Sequence, residues 1–126
     1  MQALRVATFN IQHGRGPDGG VDAGALAVAC ATLDADVLAL QEVDVDVPRS
    51  GRVDEAALVA DATGMGVAFG PTLAIEGGLY GNALLSRDQL HDVEHVSLPV
   101  PGTREPRAAI VARTHGVTVA ATHFSV

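Results

Sequence analysis

Two polar residues that suit metal and phosphate chemistry lie near the ends of apolar, strand-like segments. Asn10 is near the end of segment 4–11, and Glu42 is near the end of segment 37–43. A carboxylate such as Glu42 is a hard ligand, and Mg²⁺ takes one or two of these while keeping water and phosphate oxygens. An amide such as Asn10 orients a carboxylate or a phosphate oxygen from beside the metal. The alternative is that both residues simply finish strands and face water.

Tyr80 and Asn82 form a second candidate group because they alternate along one predicted strand. Side chains two residues apart in a strand point to the same face. A phenol and an amide on one face can together hydrogen-bond a phosphate group. Ordinary cross-strand pairing within the sheet is the alternative interpretation.

Arg107 and His123 complete the set of residues suited to phosphate. The guanidinium of Arg107 matches a phosphate bidentately and stabilises developing negative charge. Its alternative role is a surface ion pair, for example with Glu105. His123 lies on the apolar face of segment 117–124, where it either donates to a phosphoryl oxygen or is a satisfied core residue.

The elements that would position these residues follow from hydrophobic periodicity and from breaker residues. Strand, helix, strand comes first, and consecutive strands follow, so the pattern predicts an α+β fold with mainly antiparallel strands. The predicted strands are 4–11, 37–43, 67–69, 79–86, 92–100, 107–113 and 117–124, with a loop at 70–78. The predicted helices are 23–33, capped by Asp22, and 54–63, ended by Gly64.

Composition narrows the function further. The 126 residues suffice for one modest domain, and the formal net charge of −7 argues against avid binding of duplex DNA. Cys30 is the single cysteine, so no intrachain disulfide forms. Neither a membrane-spanning stretch nor a signal peptide is recognisable, and we expect a cytoplasmic protein.

The order of the motifs is more specific than any one of them. Thr-Phe-Asn-Ile at 8–11, Leu-Gln-Glu-Val-Asp at 40–44, Tyr-Gly-Asn-Ala-Leu-Leu-Ser-Arg at 80–87, Pro-Arg at 106–107 and Thr-His at 122–123 occur in sequence. This series resembles the endonuclease/exonuclease/phosphatase superfamily over nearly the whole chain. The loops at 13–14, 48–51 and 77–78 look like a bacterial subgroup whose substrate is unassigned.

The resemblance implies a four-layer sandwich, with two sheets face to face and helices outside. It implies a Mg²⁺-dependent phosphoesterase, with Mn²⁺ as a possible substitute, in which Glu42 and Asn10 form the metal site. The residues expected to serve catalysis and to line the phosphate pocket are Asn10, Tyr80, Asn82, Arg107 and His123. Given the acidic charge, we expect a small or lipid-like phosphoester rather than duplex DNA.

The later motifs of that superfamily, an Asp-x-Asn pair and an Asp-His pair, have no counterpart here. We therefore expect residues 1–126 to be the N-terminal part of the domain, half of a two-sheet sandwich without the C-terminal catalytic half. An apolar sheet face would then need cover, from that half or from a second copy in a homodimer. The alternative function is a non-catalytic half-domain that self-associates through its exposed sheet.

Overall fold

The computed structural model describes residues 3–102 and 104–124 and shows two helices among seven strands within them. Two short 3-10 turns, Gln12–Gly14 and Pro48–Ser50, follow the first two strands. The helices and strands in chain order are β1 Val6–Asn10, α1 Ala23–Thr32, β2 Val37–Val45, α2 Glu55–Thr63, β3 Gly66–Ile75, β4 Gly78–Ser86, β5 His91–Leu98, β6 Arg107–Thr114 and β7 Val117–Thr122.

The strands form two sheets. The first has the order β1-β2-β4-β3 and the second the order β5-β6-β7. Only the β1–β2 pair is parallel, as expected for strands joined through a crossover helix, and the other pairs are antiparallel. The predicted α+β, mainly antiparallel sandwich is therefore confirmed.

Local capping fixes the start of both helices and the end of α2, and the sequence predicts two of these caps, Asp22 and Gly64. Asp22 accepts a hydrogen bond from the N–H of Ala25 at 3.0 Å, and Asp54 accepts one from Ala57 at 2.9 Å. Gly64 closes α2 in the left-handed conformation, with φ 71°. The helices then cover one face of the first sheet with a core that includes Leu26, Cys30, Leu38, Leu40 and Val59.

The opposite face of the first sheet packs against the second sheet. Val37 and Leu84 from the first sheet meet Ile110, Ala112 and Ala121 from the second. These five side chains are at most 4% exposed, so the contact is a dry apolar layer. The chain thus builds three layers in the order helices, first sheet, second sheet.

The predicted loop at 70–78 is wrong, because β3 continues through it to Ile75. Gly70 and Pro71 are breakers by type, but β3 is an outer strand of its sheet, where the missing N–H of proline leaves no inner ladder bond unmade. A register shift between Pro71 and Leu73 absorbs the remaining irregularity.

Part of the apolar face of the first sheet that points towards the second sheet is left uncovered at β1. Val6 lies opposite Val37 on the face that meets the second sheet, yet it is 61% exposed. A groove of about 270 Å³ runs beside it, between β1, β2 and β7.

In the part of the chain that the structure describes, neither helix has the length and apolarity that a membrane span requires.

Candidate functional site

A bulge in β2 determines where Glu42 points. Leu40 pairs with Ala83, but the next pair is Val43 with Gly81, so β2 carries one more residue than β4. Leu40 and Val43 consequently both face the helices, although residues three apart would otherwise face opposite ways. Glu42 lies inside the bulge with φ 57°, a conformation that costs a non-glycine residue about 1–3 kcal/mol. Bulges of this kind re-aim side chains beside active sites.

Asn10 fixes the carboxylate that the bulge presents. Parallel pairing aligns Asn10 with Gln41, so the carboxyl ends of β1 and β2 meet. The Nδ2 of Asn10 donates a short hydrogen bond to Oε2 of Glu42, and its Oδ1 accepts from the N–H of Gln12 at 3.0 Å. The bond at Oδ1 fixes the Asn10 amide, and the bond from Nδ2 then orients Glu42. Direct ligation of a metal by Asn10 stays a prediction.

The donor chemistry at this point fits Mg²⁺ or Mn²⁺. Glu42 is half-buried and offers hard carboxylate oxygens, which suit these ions. Within residues 3–102 and 104–124, no group of three or more His, Cys, Asp or Glu side chains is placed to hold a metal. A closed zinc-type cage is thus not formed by these residues, whereas Mg²⁺ needs only one or two carboxylates beside its waters.

Tyr80 and Asn82 lie on β4, on the face that meets the second sheet. Burial, with Glu42 and Glu105 adding to it, raises the pKa of Tyr80 to about 12, so its hydroxyl stays protonated and able to donate. Asn82 is also buried, and its Nδ2 donates to the carbonyl oxygen of Ala108 at 3.3 Å. Asn82 thus makes a contact between the two sheets, which differs from the cross-strand pairing that the sequence left open as its alternative role.

Arg107 and His123 come from the second sheet. Arg107 opens β6 and forms a short ion pair with Glu105, the partner foreseen as its alternative. His123 is half-buried and follows the last residue of β7. Its neighbour Thr122 donates from its hydroxyl to the carbonyl oxygen of Ala108 at 2.9 Å, the same oxygen that accepts from Asn82.

Three charged residues near this group were missed by sequence reasoning. Asp44 is buried and accepts two hydrogen bonds from Arg49, from Nε and Nη2, both at 2.8 Å. Arg49 lies over the ring of Tyr80 at 5.5 Å from its centroid. Glu55, the first residue of α2, is also fully buried, and its Oε1 accepts from the N–H of Asp44 at 2.8 Å. Asp44 and Arg49 stand in the quoted motifs, but nothing local in the sequence shows that they meet.

Glu55 is the one of these groups with an incomplete set of partners. Its Oε2 is buried and has no hydrogen-bond partner among the described residues. Gly14 lies above this oxygen with φ 82°, a conformation that favours glycine, and a Cβ there would come within 2.9 Å of Oε2. Burial raises the pKa of Glu55 to about 7, because removing a carboxylate from water disfavours its charged form.

We expect Glu55 to make folding stability fall as pH rises. The folded state binds this proton more tightly than the unfolded state, whose pKa is near 4.5. The contribution is therefore full below the unfolded pKa and is lost as pH rises through about 7, by about 3 kcal/mol in all. Glu55→Gln mimics the protonated side chain. In denaturant unfolding at several pH values, it should match the wild type in acid and exceed it above neutrality.

The exposed Glu76 provides the control for that comparison, because Glu76→Gln changes the same charge without a buried partner. The free energy of unfolding of Glu76→Gln should differ from that of the wild type by the same amount at every pH in this range. A Glu55→Gln curve parallel to that of the wild type would show that the pKa of Glu55 is the same in the folded and unfolded protein.

The fold and the site together define a class of protein, a two-sheet sandwich with a strained acidic residue at the carboxyl ends of two parallel strands. The profile of the Endonuclease/Exonuclease/phosphatase family matches residues 7–123. The chain belongs to this family. No curated protein matches it.

Solved structures agree with this assignment. An endonuclease/exonuclease/phosphatase from Beutenbergia cavernae is 29% identical with a TM-score of 0.76, over 98% of this chain and 38% of that chain. An AP endonuclease from Archaeoglobus fulgidus is 25% identical with a TM-score of 0.62, over 96% and 41%. The human Nocturnin catalytic domain shares the fold at 20% identity with a TM-score of 0.65, over 98% and 51%. The chain thus spans between about two fifths and one half of these relatives.

Proposed function

We propose that the intact gene product hydrolyses a phosphodiester or phosphomonoester with one Mg²⁺ held at Glu42, Mn²⁺ being able to substitute. The observation that carries this proposal is the carboxylate of Glu42, which is held in a strained bulge and fixed by Asn10. Backbone strain of this kind persists where surrounding structure enforces it, and it clusters at functional sites. Membership of the family supports the same chemistry.

The chain's own residues would bind and orient the phosphate. When bound, the metal supplies charge stabilisation at a phosphoryl oxygen and at the leaving oxygen. The protonated hydroxyl of Tyr80 donates to the phosphate, and Arg107 and His123 hold it from the second sheet, with Asn82 between them. Holding the phosphate in one orientation favours in-line attack by water.

The base that activates the water is a separate requirement. Glu42 does not meet it, because in the proposed site its carboxylate oxygens would be taken up by the metal and by Nδ2 of Asn10. We place the base in the remainder of the fold, which the longer relatives contain and residues 1–126 do not cover. In this proposal residues 1–126 are the N-terminal part of the catalytic domain.

The proposed substrate is a small or lipid-like phosphoester. The net charge of −7 repels a polyphosphate backbone, and affinity for duplex DNA rests mostly on Lys and Arg. The relative from Archaeoglobus fulgidus is an AP endonuclease, so duplex DNA is the substrate against which this preference is tested. A steep fall of DNA binding with salt would contradict it.

A half-domain that self-associates without turnover is the second candidate, and the open side of the sandwich favours it. Val6 is exposed on an apolar face, and the groove beside it separates β1 from β7, the outer strands of their sheets. A second copy in a homodimer could cover this strip, as could a C-terminal half of the same chain. The two arrangements differ in mass and in activity.

One experiment separates the two candidates. The intact gene product is weighed by denaturing and native mass spectrometry and assayed for hydrolysis of small phosphodiesters and phosphomonoesters, with Mg²⁺, with Mn²⁺ and after chelation. We expect a denatured mass well above the 12.9 kDa of these residues and turnover that needs the metal. A denatured mass equal to this chain and a native mass equal to its dimer, without metal-dependent turnover, would support the self-associating half-domain instead.

A further inference from the structure

Asp44 and Arg49 form a bidentate ion pair, which orients the guanidinium as well as neutralising the buried carboxylate. Both oxygens of the buried Asp44 carboxylate are occupied by Nε and Nη2 of Arg49, at 2.8 Å each. Side-on pairing of this kind uses two of the five guanidinium hydrogens. Nη1 of Arg49 makes no hydrogen bond within residues 3–102 and 104–124, and the side chain is 39% exposed. The pair therefore presents a cation with a free donor edge at the surface.

The guanidinium is held in place from several sides. It lies 5.5 Å from the centroid of the Tyr80 ring, and Tyr80 is the register partner of Asp44 on the neighbouring strand. Glu55 anchors the backbone of Asp44 from beneath. In the Pro48–Ser50 turn, the hydroxyl of the buried Ser50 donates to the carbonyl of Val47 at 3.1 Å. A cation oriented in advance loses little conformational freedom when it binds an anion.

The position of this cation is the rim of the site already described. The charges of Arg49, Glu42 and Arg107 all act on the pKa of the Tyr80 hydroxyl, so these side chains surround Tyr80. In the turn after β1, burial and the charge of Arg49 lower the pKa of His13, while the charges of Asp44 and Glu42 partly offset this shift. Arg49 thus stands on the β2 side of Tyr80, while Arg107 enters from the second sheet.

We propose that Arg49 is a further anion-binding residue of this site, pre-oriented by Asp44 and Tyr80, which donates from Nη1 to an oxygen of the substrate's phosphate group. The inference rests on the proposed function in that it names a contact for the same phosphate. The competing role is structural, with Arg49 serving only to neutralise the buried Asp44.

The test uses inorganic phosphate as the probe and the intact gene product as the protein. Phosphate binding is measured by titration calorimetry in metal-free buffer and again with Mg²⁺, alongside KM and kcat for a small phosphoester. Arg49→Gln should weaken phosphate binding by about tenfold to a hundredfold, as expected for one charge-assisted hydrogen bond. Arg49→Lys, which keeps the charge but not the bidentate fork, should fall between that variant and the wild type.

Arg52 supplies the matched control, since it follows the same turn and pairs with Asp46 at 3.5 Å on the open surface. Arg52→Gln removes the same charge and should leave phosphate affinity unchanged. Because Arg49→Gln leaves Asp44 buried and unpaired, the double variant Asp44→Asn with Arg49→Gln is measured as well. It should fold and still show the weakened binding.

The outcomes separate this inference from the proposed function. If phosphate affinity falls in the Arg49 variants but Mg²⁺ has no effect on binding or turnover, Arg49 binds the anion and the metal-dependent reaction is wrong. If Arg49→Lys and the double variant bind phosphate as Arg52→Gln does and lose only stability, Arg49 is structural and the inference is overturned. Absence of phosphate binding by the wild type in both buffers overturns it too.

Discussion

Replacing Glu42 with glutamine is expected to abolish Mg²⁺-dependent phosphoester hydrolysis by the intact gene product, with kcat/KM falling at least about a thousandfold. The glutamine keeps the size of the side chain but loses the charge that would hold the metal. Removing the metal's charge stabilisation costs about 4 kcal/mol or more of the barrier, which corresponds to that factor. Steady-state kinetics across a Mg²⁺ titration measures the loss.

The loss should occur without loss of folding. Glu42 has φ 57°, so Glu42→Gly relieves a strained backbone and should unfold no more easily than the wild type while being equally inactive. Glu76→Gln is the control for charge, because Glu76 is an exposed glutamate that also has a positive φ, 47°. Full turnover and unchanged Mg²⁺ affinity in Glu42→Gln would remove Glu42 from the metal site.

Gly81→Ala is expected to destabilise the protein by about 4 kcal/mol or more. Gly81 lies between Tyr80 and Asn82 on β4, and a Cβ there would come within 2.1 Å of the carbonyl oxygen of Gly70. It would also lie 2.8 Å from Cα of Pro71. These atoms are backbone of the adjacent strand, so β3 must move and a rotamer change cannot relieve the clash.

Denaturant unfolding of Gly81→Ala beside Gly66→Ala measures this effect. Gly66 lies on the same pair of strands, but a Cβ there meets nothing nearer than the carbonyl oxygen of Ser86 at 3.9 Å. Gly66→Ala should therefore be neutral or stabilise by up to about 1 kcal/mol. Equal unfolding midpoints for the two variants would show that β3 yields at Gly70–Pro71 and that the strand does not fix Tyr80.

The candidate site could be predicted in part. The sequence pattern placed Asn10 and Glu42 each near the end of a predicted strand. The structure brings their side chains into contact. They also placed Tyr80 and Asn82 on one face of a strand, since alternation is a local property. The catalytic roles of these residues, and those of Arg107 and His123, stay predictions. Arg107 has the ion-pair partner that the sequence allowed as its alternative, whereas Asn82 contacts the second sheet.

What the sequence by itself determined was local. Asp22, Asp54 and Gly64 fix helix ends through bonds within three or four residues, and hydrophobic periodicity gives the strands. The tertiary structure decided whatever depends on residues distant along the chain. The bulge that turns Glu42 exists because Leu40 and Val43 must both face the helices, and Pro71 is tolerated because β3 is an outer strand. The burial of Glu55 beneath Asp44 and the position of Arg49 between Asp44 and Tyr80 likewise follow from packing between strands, helix and turn, which no local pattern encodes.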